Sequence, residues 1–170
     1  VIANTHIPDY TRVNEISYNV VKDSLLFDDL IVEVGCSTGN FLQLLATSGF
    51  SNLVGTDSSK EMIIEARKKL LNNVVLHATS NIPKEISQAK AVVANWTIQF
   101  NQNKEELLNQ IYEALAPGGL FVLTEKMCQN PITKNQYYKW KQKMGVSLAE
   151  IEMKEESLKG VLHSMDLQWY

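Results

Sequence analysis

Residues 32–41 read Val-Glu-Val-Gly-Cys-Ser-Thr-Gly-Asn-Phe, and this stretch decides the fold of the chain. The β-branched run at residues 30–34 predicts a short strand, and the apolar residues at helical spacing from Phe41 predict a helix. Gly35 and Gly39 lie in the turn between the two elements. A glycine turn that leads into a helix lets a ligand approach the backbone closely and offers it unpaired N–H groups. We therefore predict a strand, a ligand-binding loop and a helix N-terminus in succession.

The spacing within this loop separates the candidate ligands. A dinucleotide-binding fingerprint has the pattern G-x-G-x-x-G, but Ser37 and Asn40 occupy its second and third glycine positions. The Gly-Lys-Ser/Thr ending of a phosphate-binding P-loop is absent as well. The remaining pattern, E-x-G-x-S-x-G over residues 33–39, resembles the first motif of class I S-adenosylmethionine (SAM)-dependent methyltransferases. The resemblance implies that the loop holds the methionine part of SAM.

The composition is that of an ordinary globular domain. The chain has 170 residues, 45% of them hydrophobic and 21% charged, which suits one domain over residues 1–170. The net charge of −3 argues against broad binding to nucleic acid, which depends on lysine and arginine contacts to phosphate. The two cysteines, Cys36 and Cys128, are too few for a zinc site or a disulfide framework, so we expect no metal. The absence of a signal peptide and of a long apolar run predicts a cytoplasmic protein without membrane contact.

Strand patterns and helix patterns alternate along the chain. The predicted strands cover residues 30–34, 53–57, 74–77, 91–95 and 120–124, and the predicted helices cover residues 10–26, 41–46, 58–71, 104–116, 134–144 and 147–162. The strands are short and almost wholly apolar, as expected when helices cover both faces of a parallel sheet. This alternation predicts an α/β fold, the Rossmann-like class I methyltransferase fold with a doubly wound, mostly parallel sheet. We divide the domain into an N-terminal helical segment (1–27), a core (30–125) and a helical cap or dimerisation segment (130–163).

Several candidate site residues lie where the predicted strands end. Parallel sheets bind ligands at the carboxyl ends of their strands, so the loop residues Gly35, Cys36, Ser37 and Gly39 are expected to face a crevice. Asp57 ends the second strand, where a carboxylate can accept both hydrogen bonds of a ribose diol. A helix cap is the structural alternative for Asp57. Because the same acid suits a nicotinamide cofactor, the loop spacing discriminates between the two cofactors and Asp57 does not.

Three further polar or aromatic side chains are candidates for the same crevice. Glu33 lies inside an apolar strand, where a carboxylate is costly without partners, and it either braces the loop or meets the amino group of the cofactor. Asn95 ends the fourth strand, and its amide is the candidate catalytic group that positions the sulfonium donor or its acceptor. Tyr10 precedes the first helix and either folds over the cofactor or packs on the surface.

The chain contains no convincing nucleophile and no Ser-His-Asp arrangement. Cys36 is more plausible as a small packing residue than as a nucleophile. Methyl transfer is compatible with this lack, because the sulfonium is already activated and alignment of donor and acceptor supplies much of the acceleration. A general base is needed only when the acceptor holds its proton tightly.

Several later runs resemble one subfamily, the carboxy-SAM synthases, formerly described as tRNA uridine-34 methyltransferases. The runs are residues 8–10, 34–37, 57–59, 92–100 and 111–126, of which Asn-Trp-Thr-Ile-Gln-Phe (95–100) and Leu-Ala-Pro-Gly-Gly-Leu-Phe-Val-Leu-Thr-Glu-Lys (115–126) are the most specific. Members of that subfamily react SAM with prephenate to give carboxy-SAM, which a partner enzyme uses to modify the wobble uridine of tRNA, and they are usually homodimers. The resemblance implies cofactor contacts at the matching positions, which are Tyr10, Gly35, Cys36, Ser37, Asp57, Ser58 and Asn95.

The chain departs from that subfamily at two places. The subfamily has an acid after the third strand that faces the adenine, where this chain has Thr79 and Ser80. It also has an arginine in the late helical segment that binds the extra carboxylate of carboxy-SAM. The alignment places Glu155 at that position, with Lys154 beside it, and Lys154 takes the place of the arginine if the register shifts by one. A glutamate repels a carboxylate, and lysine lacks the planar bidentate fork of arginine.

We therefore predict an enzyme, a SAM-dependent methyltransferase that binds SAM or S-adenosylhomocysteine (SAH) and acts on a small-molecule or tRNA-related acceptor. Any involvement of tRNA is expected to be indirect, and a homodimer is one expected assembly. The alternatives are a carboxy-SAM synthase, with carboxy-SAM as its ligand, and a non-catalytic SAM-binding module. A nicotinamide-dependent oxidoreductase is disfavoured because the third glycine of its fingerprint is missing. The sequence up to Tyr170 shows no closing β-hairpin of the kind many class I domains have, so we expect a smaller sheet or a truncated chain.

Overall fold

The computed structural model of the chain describes residues 7–70 and 74–165. Its helices are α1 (Tyr10–Ser24), α2 (Asn40–Thr47), α3 (Lys60–Lys69), α4 (Lys104–Ala114), α5 (Pro131–Lys143) and α6 (Leu148–Leu158). Its strands are β1 (Ile31–Val34), β2 (Leu53–Asp57), β3 (Val74–Ala78), β4 (Ala89–Asn95) and β5 (Leu115–Thr124), and a short 3₁₀ turn spans Ile98–Phe100.

The five strands form one parallel sheet in the order β3-β2-β1-β4-β5. The chain first builds outward from β1 through β2 to β3, and then crosses back so that β4 pairs with the other edge of β1. The strand order therefore reverses between β1 and β4, which opens a crevice beyond their carboxyl ends. This topology confirms the predicted Rossmann-like, doubly wound parallel sheet.

Alternating side chains of the strands enter two cores, one on each face of the sheet. On one face, Ile31 of β1 packs with α1, α2 and α3 through buried residues such as Val21, Leu42 and Ile63. On the other face, Val32 packs with α4, together with the buried residues Leu107, Ile111 and Ala114. Because β1 is covered on both faces, all four of its residues are buried, including Glu33.

The predicted boundary between α4 and β5 is wrong. Residues 117–119, Pro-Gly-Gly, were expected to separate a helix ending at residue 116 from a strand starting at residue 120. The helix instead ends at Ala114, and β5 begins at once at Leu115. The register shifts there, with Ala89 paired to Leu115 and Ala91 paired to Leu120. Pro117 is tolerated at this irregularity because its position does not need to donate a backbone hydrogen bond to the neighbouring strand. Gly118, at φ +74°, allows the backbone to bend there.

Other predicted bounds differ from the structure at their ends. The first helix ends at Ser24 and the third at Lys69, and α5 starts at its N1 residue Pro131 rather than at residue 134. The predicted end of the third helix at residue 71 lies outside the described residues. Within residues 7–70 and 74–165, no helix is both long and apolar enough to cross a membrane.

Candidate cofactor site

The crevice at the reversal of strand order contains two cavities that meet at Gly35. The first cavity has a volume of about 390 Å³ and lies beside the ends of β2 and β3. The second cavity has a volume of about 400 Å³ and lies between the start of α1 and the ends of β1 and β4. Of the predicted site residues, Gly35, Asp57, Ser58, Thr79 and Ser80 line the first cavity, and Tyr10, Glu33, Gly35, Cys36, Ser37 and Asn95 line the second.

The glycine loop, residues 35–39, approaches its neighbours too closely for side chains at both glycines. Gly35 adopts φ +71°, and a Cβ atom there would lie 1.9 Å from Thr97 Oγ1. Gly39 adopts φ +73°, and its Cβ atom would lie 2.7 Å from Leu70 Cδ1 in the last turn of α3. Gly39 lines neither cavity. It therefore packs the start of α2 against α3, whereas Gly35 faces the crevice.

Most backbone N–H groups around this loop are already used inside the fold. Gly35 N and Cys36 N donate to Thr56 O at 2.8 and 2.9 Å, and Gly39 N donates to Cys36 O at 2.8 Å. Ser37 N donates to Asp57 Oδ2 at 2.8 Å. These four N–H groups are therefore not free for a ligand. Unpaired N–H groups were expected at the start of α2, and one of them, Leu42 N, donates to Glu33. The loop contributes a close backbone approach instead.

Asp57 joins the glycine loop to the start of α3. Besides accepting from Ser37 N, its carboxylate accepts from Ser59 N through Oδ1 at 2.9 Å. Ser59 in turn caps α3, since its hydroxyl accepts from Met62 N at 3.2 Å. Each Asp57 oxygen takes one N–H bond and retains a further lone pair. The carboxylate is thus held rigidly at the wall of the first cavity and can accept from a diol.

Glu33 is buried, with 4% of its surface exposed. Its carboxyl accepts from the Leu42 backbone N–H in the first turn of α2. Burial raises the pKa of Glu33 well above its usual range. The hydrogen bond from Leu42 lowers this pKa, and the negative charge of Asp57 raises it further. Oε2 has no hydrogen-bond partner among the described residues. The carboxyl therefore braces α2 with one oxygen and leaves the other for a ligand in the second cavity.

Asn95 also presents an orphaned polar atom at the second cavity. Its Oδ1 accepts from Ser17 Oγ at 3.3 Å and from Thr124 Oγ1 at 2.5 Å. Its Nδ2 is buried and has no partner in the described part of the chain. A third orphaned atom, Thr56 Oγ1, belongs to a residue that lines the first cavity. Buried polar atoms without partners are rare, so these three indicate a polar ligand.

Aromatic residues close the crevice at one side. The rings of Tyr10 and Trp96 stack with centroids 5.0 Å apart and an angle of 24° between their planes. Tyr10 lines the second cavity with Thr11, Asn14 and Glu15, so the first turns of α1 form one wall. The structure thus places Tyr10 in the crevice rather than on a remote surface.

The far end of the first cavity contains residues that the sequence analysis missed. Asn81 follows Thr79 and Ser80 in the lining, and Thr97 and residues 101–103 also line this cavity. Thr79 Oγ1 accepts from Asn81 N at 3.1 Å, so this hydroxyl closes the turn after β3. The signal for these residues was present, because they follow the carboxyl ends of β3 and β4.

Cys36 is not placed to act as a nucleophile. Only 3% of its surface is exposed, and burial raises the pKa of its thiol, as do the charges of Glu33 and Asp57. The thiolate required for attack is therefore strongly disfavoured. In the described segments, no group of three or more metal-ligating side chains is found either.

The late helices form a separate cluster around Glu155. Its carboxylate pairs with Lys134 Nζ at 2.9 Å. Lys141 and Lys126 lie over the ring of Tyr137, with their Nζ atoms 4.5 and 5.5 Å from its centroid. Burial lowers the pKa of both lysines and, with the charge of Glu155, raises the pKa of Tyr137 to about 12. Glu155 is thus held in an ion pair within the chain.

Comparison with known proteins identifies the family of this chain. Residues 32–123 match the profile of the methyltransferase domain family. The chain belongs to this family. It is also 33% identical to the carboxy-S-adenosyl-L-methionine synthase of Nautilia profundicola, over 97% of this chain and 75% of that protein. The chain spans 58–75% of the lengths of the first four such synthases that it matches.

Solved structures support the methyltransferase fold. The YcgJ protein from Bacillus subtilis superposes with a TM-score of 0.71 and 11% identity, over 94% of this chain and 64% of that one. A plantazolicin methyltransferase in complex with SAH superposes with a TM-score of 0.61 and 18% identity, over 89% of this chain and 64% of its own. At these identities the likeness shows the fold alone.

The cofactor of this methyltransferase domain is SAM, and the residues present suit its chemistry. A ribose diol needs an acceptor, and the Asp57 carboxylate in the first cavity has the chemistry of one. The amino acid end carries an ammonium group, for which the orphaned Glu33 Oε2 in the second cavity is a partner. Gly35 lines both cavities.

Proposed function

We propose that this chain binds SAM across the two cavities and transfers a methyl group to a small-molecule or tRNA-related acceptor. The observation that carries the proposal is the pair of buried, unpartnered atoms Glu33 Oε2 and Asn95 Nδ2 beside the glycine loop. Family membership supports the same conclusion. SAM supplies an activated methyl group, so the protein is needed chiefly to bind, orient and exclude water.

Each site residue has a role that follows from its position. Asp57 accepts from the ribose, and Glu33 accepts from the ammonium group. Asn95 donates a hydrogen bond at the reacting end of the second cavity. Tyr10, stacked on Trp96, excludes water from that end. Thr79, Ser80 and Asn81 line the part of the first cavity that remains for the adenine, and they offer hydroxyl and amide groups in place of an acid.

Calorimetric titration with SAH tests the cofactor assignment. Asp57→Asn keeps the size of the side chain but removes the negative charge and one of the two oxygens that accept from Ser37 N and Ser59 N, and we expect the dissociation constant to rise about tenfold, equivalent to about 1.4 kcal/mol. The matched control is Asp28→Asn, an exposed acid between α1 and β1. The wild-type protein failing to bind SAH would contradict the proposal. Equal effects of the two variants would contradict the role of Asp57.

Carboxy-SAM synthesis is the second candidate, favoured by the 33% identity to a protein of that name across almost the whole chain. The ion pair between Glu155 and Lys134 argues against it. Incubation with SAM and prephenate, followed by mass spectrometry of the nucleoside products, separates the two reactions. Carboxy-SAM in the product would favour this candidate over methyl transfer. SAH binding with no turnover on any acceptor would instead favour a non-catalytic module.

We also propose that the protein works in the cytoplasm and that any role of tRNA is indirect.

We further propose that residues 130–163 form a cap or a homodimer surface. Large apolar side chains are exposed on this segment, namely Ile132, Met144, Leu148 and Met153. Such residues are enriched at interfaces. Light scattering after size exclusion should give a dimer mass, and Met153→Glu should reduce it to that of a monomer. If the wild-type protein has the mass of a monomer, the homodimer surface is rejected and the proposal that this segment is a cap remains.

A further inference from the structure

We propose that Ser17 and Thr124 are positioning residues that fix the orientation of the Asn95 carboxamide. Their hydroxyls hold its Oδ1, so that Nδ2 is left as a hydrogen-bond donor for the bound ligand. The inference rests on the proposed function and adds one requirement on the ligand. The ligand in the second cavity must present an oxygen acceptor at Asn95.

The two hydroxyls reach Asn95 from opposite parts of the chain. Thr124 is the last residue of β5 and pairs with Asn95 in the register of the sheet. Ser17 belongs to α1, 78 positions away from Asn95, and is 2% exposed. Serine is unfavourable inside a helix unless its hydroxyl finds a partner. A buried serine that faces β4 from α1 is therefore explained by this bond.

The arrangement selects one of the two orientations of the amide. An amide offers an acceptor oxygen on one side and two donor hydrogens on the other. If the carboxamide rotated, Nδ2 could donate to the two hydroxyl oxygens, but both hydroxyl hydrogens would lose the acceptor that Oδ1 gives them. Rotation would also place Oδ1 where Nδ2 now lies, at the cavity. The hydroxyls thus determine that the wall of the cavity donates rather than accepts.

The same contact connects cofactor binding to the docking of α1. This helix contributes Ser17 to Asn95, and its first residue, Tyr10, stacks on Trp96, the next residue along the chain. The first turns of α1 also line the second cavity. Asn95 is therefore correctly oriented only when α1 lies against the end of β4.

Four variants test the inference in calorimetric titrations with SAH. Thr124→Val keeps the shape of the side chain and removes the hydroxyl, and we expect affinity to fall five- to tenfold. Thr124→Ser restores the hydroxyl and should bind within twofold of wild type. Ser17→Ala should weaken binding in the same direction as Thr124→Val. The matched control, Thr47→Val, removes an exposed hydroxyl that bonds only within α2 and its cap, and should leave affinity unchanged.

Asn95→Asp isolates the donor itself. A carboxylate still accepts from Ser17 and Thr124, so the contacts that Asn95 makes with α1 and β5 are kept. It cannot donate to the ligand, so affinity should fall more than tenfold. The Asn95 side-chain amide signals in a ¹H–¹⁵N spectrum should shift when SAH binds, and in Thr124→Val without ligand they should broaden as the amide rotates.

The possible outcomes are distinguishable. A wild-type protein that does not bind SAH overturns the proposed function and this inference with it. A wild-type protein that binds SAH while Thr124→Val and Ser17→Ala bind equally well overturns only the positioning role. Thr124→Ser failing as badly as Thr124→Val would also overturn it, since the hydroxyl would then not be the group that matters.

Discussion

Glu33 lies in the middle of a buried strand with one carboxyl oxygen bound to α2 and the other lacking a partner in the described structure. Burying a carboxylate costs free energy of folding, because its charge loses contact with water. The free protein is therefore less stable than it would be with an apolar residue at this position. The residue combines two roles that the sequence left as alternatives. It braces the helix and faces the cavity.

The pH dependence of stability should report this burial. The pKa of Glu33 is raised in the folded protein, whereas the unfolded chain ionises near pH 4.5. The stability that comes from the neutral acid is therefore complete below pH 4.5 and is lost as the pH rises towards the folded-state pKa, at about 1.4 kcal/mol for each unit of pKa difference. Glu33→Gln does not ionise, so its melting temperature relative to wild type should increase from pH 4 to pH 8. A constant difference across this range would contradict the assignment.

Gly35 should be far less replaceable than a glycine with a similar backbone angle elsewhere. Gly35 and Gly145 both have positive φ, but an added Cβ atom would collide with Thr97 at Gly35 and meet nothing within 4 Å at Gly145. Gly145→Ala should cost about 1 kcal/mol of unfolding free energy from backbone strain alone. Gly35→Ala should cost more and should also abolish SAH binding. Chemical denaturation and calorimetry measure the two effects.

At the scale of elements, the last turn of α3 braces the glycine loop from outside. Gly39 packs on Leu70, and Lys69 Nζ donates to Thr38 Oγ1 at 3.0 Å and to Asn40 Oδ1 at 2.9 Å. Asp57 holds the same loop from the crevice side. The loop is therefore fixed between the beginning and the end of one helix.

Lys69→Met should loosen this brace. The alkyl chain remains while both polar contacts disappear, so SAH affinity should fall two- to fivefold, an effect of less than about 1 kcal/mol as expected for exposed contacts. Lys68→Met is the control, because Lys68 pairs only with Glu65 on the surface of α3. Equal affinities of the two variants would show that the loop keeps its shape without the brace.

Local sequence predicted the elements well and their junctions less well. β1 to β3 were predicted within one residue at each end, because short apolar runs bounded by turns identify buried strands. The start of β5 was missed, because residues 117–119 resemble a terminator and only pairing with β4 shows that they continue a strand. The occupation of the loop N–H groups could not be predicted, because Thr56 and Asp57, which accept from three of them, belong to β2, which is distant in sequence.

At the scale of the whole molecule, the reversal of strand order brings together side chains from α1, β1, β2 and β4. The alternation of elements and the glycine loop were sufficient to predict this crevice and the family. The sequence could not predict that polar atoms of Glu33, Thr56 and Asn95 lack hydrogen-bond partners in the described structure. This depends on the positions of all the polar groups on the neighbouring elements.

Ligand binding should therefore stabilise the entire domain. SAH at a hundred times its dissociation constant should add about 2.7 kcal/mol to the free energy of unfolding. For a chain of this size, that corresponds to an increase of roughly 5–10 °C in melting temperature. Differential scanning fluorimetry measures the shift, and Asp57→Asn should reduce it. No shift at saturating SAH would contradict binding to the folded state.

The stacking of Tyr10 on Trp96 gives the protein a built-in optical signal. An indole that rests on a phenol ring beside the cofactor experiences a change of polarity whenever the neighbouring cavity fills or empties. With Trp140 and Trp169 replaced by phenylalanine, the emission of the remaining tryptophan would follow ligand arrival and departure in a stopped-flow instrument. No attached dye would be needed.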